Sequence, residues 1–332
     1  MARTFLFAFP LTVAIYMPLC APPVRPTVAP QHANQQMAEL WRAIDVSAAD
    51  LFNGPWGSQS APNPRALYSF VKPKTHGHSP GLTVKDPEGT EWSVKQGDES
   101  NVEVTLSRVL SGLGYHQPPV YYLDAFPLDR GTWIEHAPGG RFRPKEKRLK
   151  ESGTWSWQQN PFVGTKPYQG LLVILMMFNS SDLKNSNNSL YELKEPREGA
   201  TRWFVVRDIG TALGETGKLA PREKDVGVFE RHDFITGVKN GFVEFSYHGW
   251  HQELVRDRVT TADVRWACEL MSKISDRQWA DAFRAGGFDP ADAQRYIAKL
   301  KAKIVEGLGL TGQLPKSAGQ PFSLFGKQFA FH

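Results

Sequence analysis

Nine consecutive apolar residues, Gly170–Phe178, constrain the fold of this chain more than any other segment. A helix formed by them would be apolar on every side, so other elements would have to surround it. The segment is too short to span a bilayer, which takes about 20 residues. It therefore predicts a buried core helix in the second half of the chain.

The composition is that of a well-packed protein and excludes several classes. The chain has 332 residues, 41% of them hydrophobic, which is enough for one large domain or two modest ones. Its 10 Trp and 20 Phe residues exclude wholesale disorder, because disordered chains are poor in aromatics. Two cysteines, Cys20 and Cys268, are too few for a disulfide scaffold. The net charge of +5 allows a nucleotide or another acidic partner, and no nucleic acid is expected.

The amino terminus has the pattern of an export signal. Arg3 is the one charged residue before an uncharged stretch, Thr4–Val24. We therefore expect residues 1–24 to be a signal peptide or anchor, and the protein to be periplasmic, at the cell surface or secreted. Cleavage near Cys20, a lipoprotein anchored through Cys20, and a retained membrane anchor are the alternatives, and membrane contact is expected only through this segment. Residues 25–60 are predicted to form a linker and N-terminal extension, and residues 311–332 a C-terminal tail.

Residues 61–126 alternate between short apolar stretches and turns, with one helix among them. Strands are predicted at Leu67–Val71, Leu82–Lys85, Glu91–Lys95 and Val120–Leu123. Apolar residues recur at helical spacing over Ser100–Leu113. These elements predict a compact α+β unit.

Residues 127–310 are predicted to be mainly helical. Helices are expected at Thr261–Ile274, Asp276–Ala285 and Asp289–Glu306. The basic run Arg141–Lys150 is interpreted as a solvated connecting loop, with binding of an acidic acceptor as the alternative. The chain should therefore combine a small lobe that contains a sheet with a larger helical lobe.

A hairpin is predicted in the second half, with strands at Asn188–Leu193 and Arg202–Val206. If its turn is centred between residues 197 and 198 and the register is even, Asn187 faces Asp208. Opposed residues of an antiparallel ladder lie about 5 Å apart. The carboxamide and the carboxylate would then suit Mg²⁺, which prefers oxygen ligands. A bulge would break this register.

Two further side chains precede the hairpin. Asp182 lies five residues before Asn187 and could accept the proton of an attacking hydroxyl. Lys184 could balance the negative charge of a phosphoryl group in transfer. Positioning and charge neutralisation are most of what phosphoryl transfer needs from a protein.

The segment Asp182–Asn187 resembles the catalytic loop D-L-K-x-x-N of protein-kinase-like enzymes. Asp208-Ile209-Gly210 resembles their D-F-G metal motif, with Ile in place of Phe. This resemblance implies that Asp182 and Lys184 are catalytic and that Asn187 and Asp208 hold Mg²⁺ or Mn²⁺.

The resemblance extends upstream, over roughly residues 66 to 210. Glu91–Lys95 resembles the strand whose lysine contacts the α- and β-phosphates of ATP, and Glu103 on the next helix is the candidate ion-pair partner of Lys95. Gly77 and Gly81 lie where a loop that covers the phosphates would be. Glu103 also fits a capping box with Ser100, and Glu99 is the alternative partner for Lys95.

The resemblance implies an α+β, bilobal kinase-like fold with a small β-rich N-lobe of one helix and a larger, mainly helical C-lobe. Four departures point to atypical branches, such as HipA-type, lipid-kinase-like or secretory-pathway kinases. No His-Arg pair precedes Asp182, no Ala-Pro-Glu motif follows Asp208, and the glycine loop lacks the G-x-G-x-x-G pattern. The gap from Lys95 to Glu103 is also short for an ordinary protein kinase. The rest of the chain resembles a group of uncharacterised exported bacterial proteins, which indicates no substrate.

The function implied by the resemblance is an exported, ATP- and metal-dependent phosphotransferase. Its acceptor is a hydroxyl group of an unidentified protein, lipid, sugar or metabolite, and nucleotidyl transfer is open as well. One alternative is a pseudokinase that binds nucleotide or acts as a scaffold without turnover. The other is an unrelated carbohydrate- or wall-binding protein. Separations of more than about 15 Å among Lys95, Asp182, Asn187 and Asp208 would favour the latter, because one nucleotide–metal site could not span them.

Overall fold

The computed structural model describes residues 36–75, 79–218 and 223–310. They form a mixed α+β structure with a closed five-stranded barrel, a three-stranded sheet, a two-stranded sheet and a group of α-helices. The α+β class is confirmed. Among the described residues, we find no helix with the length and apolar character needed to cross a bilayer. The predicted signal or anchor (residues 1–24) and the tail (residues 311–332) lie outside the described residues.

The barrel is built from the first five strands. They are β1 (Tyr68–Pro73), β2 (Gly81–Lys85), β3 (Glu91–Lys95), β4 (Tyr121–Asp129) and β5 (Ile134–Pro144). Their order around the barrel is β1-β2-β3-β5-β4, and a short parallel pairing of β1 with β4 closes it. Alternate side chains fill the interior because successive residues of a strand point to opposite faces. The interior includes Tyr68, Val84, Trp92, Val94, Phe126 and Phe142.

Helix α1 (Glu99–Gly112) follows β3 and is buried along almost its whole length. Its apolar residues Val102, Leu106 and Val109 belong to the larger of the two hydrophobic cores. Its polar residues are buried as well, and they bind their neighbours. For example, Asn101 Nδ2 donates to the carbonyl of Gly286 at 2.7 Å. A helix enclosed in this way has little freedom to move relative to its surroundings.

The remaining elements form the helical half and two small sheets. The helices are α2 (Lys166–Met177), α3 (Val226–Arg231), α4 (Thr261–Met271), α5 (Asp276–Ala285) and α6 (Pro290–Leu308). The strands β6 (Leu149–Gly153), β7 (Asn188–Arg197) and β8 (Ala200–Val206) form one antiparallel sheet, and β9 (Ile235–Lys239) pairs with β10 (Phe242–Phe245).

The predicted core helix is confirmed as α2. The Thr165 side chain caps it by accepting a hydrogen bond from the amide of Tyr168, and every residue from Pro167 to Met177 is buried. Gly170 allows close contact with α4, because a Cβ there would lie 2.1 Å from the Trp266 ring. Helix α2 therefore anchors the helical half and delivers the chain into the loop that follows it.

The two halves are divided differently from the sequence-based prediction. The boundary expected after residue 126 falls inside β4, and β5 belongs to the barrel. Strand β5 is long and carries Gly139, Gly140 and several charged residues, so its sequence does not resemble a short apolar strand. Residues 36–60 pack onto the larger core through Leu40, Val46 and Leu51.

Candidate functional site

Lys95 lies at the end of β3 and faces α1, outside the barrel. Its neighbour Val94 fills the barrel interior, so the alternation of the strand turns Lys95 to the opposite side. The Lys95 Nζ atom lies 3.3 Å from Glu103 Oε2 and 2.5 Å from Glu99 Oε2. Both carboxylates that the sequence offers as partners therefore contact this lysine.

Glu103 is held by two arginines in addition to Lys95. Its Oε1 atom lies 3.0 Å from Arg141 Nε and 2.5 Å from Arg143 Nη2. Only 2% of the Glu103 side chain is exposed. Burial would raise the pKa of Glu103, but Arg141, Lys95 and Arg143 together lower it to about 2. Glu103 is therefore ionised and is the shared anion of three buried or nearly buried cations.

The capping-box interpretation of Glu103 is wrong. A capping box would need Ser100, three residues before Glu103, as the N-cap, but the N-cap of α1 is Asp98. Ser100 Oγ donates instead to the carbonyl of Lys95 at 2.6 Å. Only three residues separate the end of β3 from the start of the helix. This short connection is what places Glu103 opposite Lys95.

The basic run Arg141–Lys150 was predicted to be a solvated loop, and this is wrong for its first four residues, which belong to strand β5. Arg141 and Arg143 belong to β5, where Arg141 lies directly opposite Lys95. Like charges at opposed positions repel each other, and here the carboxylate of Glu103 compensates them. The alternation Arg141-Phe142-Arg143 could have indicated a strand in the sequence, because Phe142 enters the barrel core and both arginines share the other face.

Ser79, two residues before β2, contacts this cluster. Ser79 Oγ donates to Glu99 Oε2 at 2.6 Å, and Gly81 is opposed to Lys95 across the ladder. A Cβ at Gly81 would lie 2.4 Å from the carbonyl oxygen of Val94, so only glycine fits there. Gly81 is thus placed beside the candidate phosphate-contacting lysine, whereas Gly77 lies outside the described residues.

Asp208 reaches the same cluster from the other half of the molecule. Its Oδ1 atom lies 2.9 Å from Lys95 Nζ, and 53% of its side chain is exposed. Ile209 is buried in the larger core, and Gly210 packs against α1, where a Cβ would lie 2.7 Å from the Cβ of Glu99. Gly210 therefore allows Asp208 to approach the amino-terminal end of α1.

The hairpin that carries Asn187 and Asp208 forms, but the predicted register is wrong by one residue. Asn188 pairs with Val206, and Arg197 pairs with Ala200 around the two-residue turn Glu198-Gly199. Both turn residues have positive φ, 58° and 83°, as a type I′ turn requires. A β-bulge or irregularity between residues 192 and 197 also interrupts the ladder.

Asn187 and Asp208 are nevertheless neighbours. The main-chain carbonyl of Asn187 accepts hydrogen bonds from the amides of Arg207 and Asp208, each at 3.1 Å. The Asn187 side chain donates through Nδ2 to the carbonyl of Asp182 at 2.8 Å, which leaves its Oδ1 atom available to a metal ion. The amide and the carboxylate therefore offer two oxygens from adjacent segments.

The loop that carries Asp182 is fixed from several sides. Asn179 follows the C-cap of α2 and has a left-handed backbone, with φ 55°. Its Oδ1 accepts a hydrogen bond from the buried Lys303 Nζ at 2.9 Å. The amide of Ser181 donates to Thr211 O at 3.2 Å, and the carbonyl of Ser181 accepts from the amide of Trp250 at 2.9 Å. These contacts hold the main chain that leads into Asp182.

Lys184 pairs with Asp182 rather than standing free. Its Nζ atom lies 2.9 Å from Asp182 Oδ1 and 4.7 Å from the centre of the Trp250 ring. The side chains of Asp182 and Lys184 are 26% and 40% exposed, so both are partly accessible to solvent. Trp250 is a neighbour that the sequence motifs did not indicate.

Electrostatics favour a charged Lys95. Burial would lower the pKa of Lys95, but Glu103, Asp208 and Glu99 together raise it above its usual value. The same cluster acts on Lys74, whose pKa is lowered by burial and by the charges of Lys95 and Arg141. Lys95 therefore remains a full positive charge at neutral pH.

The structure brings together Lys95, Glu103, Asp182, Asn187 and Asp208, with Lys184 and Gly81 beside them. Lys95 contacts Asp208, Asp208 contacts Asn187, and Asn187 contacts Asp182, each through atoms no more than 3.1 Å apart. Within the described residues, no group of three or more His, Cys, Asp or Glu side chains could hold a metal ion alone. A metal at Asn187 and Asp208 would need ligands from a substrate or from water, as is usual for Mg²⁺.

Comparison of the chain with protein-family models, with curated proteins and with solved structures found no match.

Proposed function

We propose that this protein is an exported, ATP- and metal-dependent phosphotransferase with a bilobal, kinase-like arrangement of the barrel and the helical half. The observation that carries the proposal is that the candidate site residues are neighbours: Lys95 forms side-chain ion pairs with Glu103 and Asp208, and hydrogen bonds that involve main-chain atoms join Asp208 to Asn187 and Asn187 to Asp182. These residues come from four segments up to 113 positions apart. Chance motifs in an unrelated wall-binding protein give no reason for such a convergence.

The proposed roles follow from the position of each group. Lys95 contacts the α- and β-phosphates, and Glu103 orients it. Asn187 Oδ1 and the carboxylate of Asp208 bind Mg²⁺ or Mn²⁺, which when bound neutralises charge on the phosphates. Gly81 lets the main chain of β2 approach β3 closely beside Lys95, where the phosphates would lie. Asp208 has to exchange Lys95 for the metal, and its exposure makes this exchange possible.

Asp182 is the proposed base for the acceptor hydroxyl. Its Oδ1 atom is buried against Lys184, so Oδ2 is the oxygen that can face a substrate. Asp182 takes the hydroxyl proton as the acceptor oxygen bonds to the γ-phosphorus and the bond to the β-phosphate oxygen breaks. The products are a phosphoester and ADP. Lys184 balances the charge of the group in transfer.

A pseudokinase is the second candidate, and one observation favours it. Lys95 is already surrounded by three carboxylates, those of Glu99, Glu103 and Asp208, at 2.5 to 3.3 Å. A nucleotide would have to displace two of them from the lysine. Such a protein would bind nucleotide or a partner without transferring phosphate.

Nucleotide binding is the first test of the proposal. We expect ATP with Mg²⁺ or Mn²⁺ to raise the melting temperature of the protein, because a ligand that binds only the folded state stabilises it. Asp208→Ala should abolish the part of this shift that depends on metal. Asp124→Ala, which removes an exposed carboxylate from β4, is the matched control and should retain it. A folded wild-type protein with no shift in either metal would contradict the proposal.

A further inference from the structure

The surface beside Asp182 contains a group of side chains that the proposed phosphoryl transfer does not use. Trp250 lies next to the catalytic loop, and Gln158, His251 and Glu253 form a hydrogen-bonded network beside it. We infer that this surface, the acceptor site, binds a neutral polyhydroxylated acceptor, a sugar. This inference rests on the proposed function and names the substrate class of the same site.

Trp250 is held at a fixed place relative to the proposed base. Its amide donates to Ser181 O, and its carbonyl accepts from the Tyr247 hydroxyl at 2.7 Å. The Tyr247 hydroxyl also contacts Ser181 O at 3.1 Å. Tyr247 therefore links the loop that carries Asp182 to the segment that carries Trp250. The ring centre and Asp182 Oδ1 are no more than about 8 Å apart, since both contact Lys184 Nζ. A single monosaccharide can span that distance, and Lys184 Nζ, which lies between the two groups, would have to move from the ring to a sugar hydroxyl when the ligand binds.

The polar network next to Trp250 is arranged in advance of any ligand. Asn185 Nδ2 donates to Gln158 Oε1 at 3.1 Å, which turns Gln158 Nε2 towards His251 and Glu253. Glu253 Oε1 lies 2.7 Å from His251 Nδ1 and 3.1 Å from Gln158 Nε2. His251 has a left-handed backbone, with φ 56°. Side chains that fix one another lose little freedom when they bind a ligand.

The chemistry of these groups matches a sugar better than a peptide or an acidic metabolite. Aromatic rings pack against the C–H faces of sugars, while amide, carboxylate and imidazole groups exchange hydrogen bonds with hydroxyls. The charges of Asp182, Glu253 and Lys184 sum to −1, which disfavours an anionic acceptor. A sugar stacked on the partly exposed Trp250 would present a hydroxyl to Asp182.

Saturation-transfer NMR tests the inference on the full chain. The probes are glucose, galactose, mannose and N-acetylglucosamine. We expect transfer to the ring protons of at least one of them, with Kd weakened about tenfold in Trp250→Ala and in Gln158→Ala and largely retained in Trp250→Phe. Trp133→Ala is the matched control, because Trp133 is 57% exposed on the turn between β4 and β5.

The outcomes separate this inference from the proposed function. No transfer from a folded protein to any of the four sugars overturns the inference, and so does equal transfer in wild type and Trp250→Ala. If the stabilisation by Mg²⁺ and ATP is present in that protein, the proposed function is unaffected. Transfer that depends on Trp250 in a protein that fails to bind ATP would support the sugar site and contradict the proposed function.

Discussion

Glu103→Gln is expected to lower the free energy of unfolding by about 3–5 kcal/mol, the cost of removing one partner from a buried ion cluster. Glutamine has nearly the same shape, so the change isolates the charge. Arg141 and Lys95, both about 95% buried, would lose the anion that they share, and Arg143 would lose its partner. The measurement is urea denaturation monitored by tryptophan fluorescence.

The control for Glu103 is Glu99→Gln, the same chemical change one helical turn earlier. Glu99 is more exposed, and Lys95 would keep Glu103 and Asp208, so the loss of stability should be much smaller. The pH dependence gives a second check. Glu103 contributes fully above its unfolded pKa, near 4.5, and its contribution disappears as the pH falls through its folded pKa of about 2. The difference between wild type and Glu103→Gln should therefore shrink over that range. Equal losses in the two variants would contradict the role given to Glu103.

Asp182→Asn is expected to reduce turnover by about 10² to 10⁴-fold while leaving the binding of Mg²⁺ and ATP unchanged. The amide keeps the shape of the side chain but cannot accept the hydroxyl proton. ADP formation should be measured with water as the acceptor and again with the four monosaccharides. With water as the acceptor, the effect of Asp182→Asn on turnover can be measured whether or not the protein binds a sugar.

The matched control is Asp124→Asn on β4, which should turn over as the wild type does. If Asp182→Asn turned over as fast as the wild type, Asp182 would not be the base. A wild-type protein that binds Mg²⁺ and ATP but forms no ADP with any of these acceptors would favour the pseudokinase.

Local elements of the fold were largely predictable from the sequence. Glu91–Lys95 and Asp276–Ala285 form the predicted strand and helix with the predicted bounds, and the apolar run Gly170–Phe178 lies in the buried helix α2 and its C-cap. These segments have clear periodicity, and their boundaries coincide with turns or caps. β5 was not predicted, because its paired glycines and charges hide an alternation that only the closed barrel explains.

The contacts of the candidate site were predictable only in part. The spacing of Asp182, Asn187 and Asp208 indicated that they act together, but the hairpin register depends on the φ angles of Glu198 and Gly199, which spacing does not specify. Arg141 contacts Glu103 because β3, β5 and α1 meet at this place. Trp250 contacts Lys184 although 66 positions of sequence separate them. Long-range packing of this kind leaves no local pattern.

The central claim is that Asn187 and Asp208 hold the metal of a nucleotide bound at Lys95. The most direct measurement is a crystal structure with Mn²⁺ and a non-hydrolysable ATP analogue, with the metal located by anomalous scattering. We predict a Mn²⁺ peak in contact with Asn187 Oδ1 and the Asp208 carboxylate, and phosphate oxygens within hydrogen-bonding distance of Lys95 Nζ. Nucleotide and metal bound elsewhere, with the Lys95–Asp208 ion pair intact, would contradict the account.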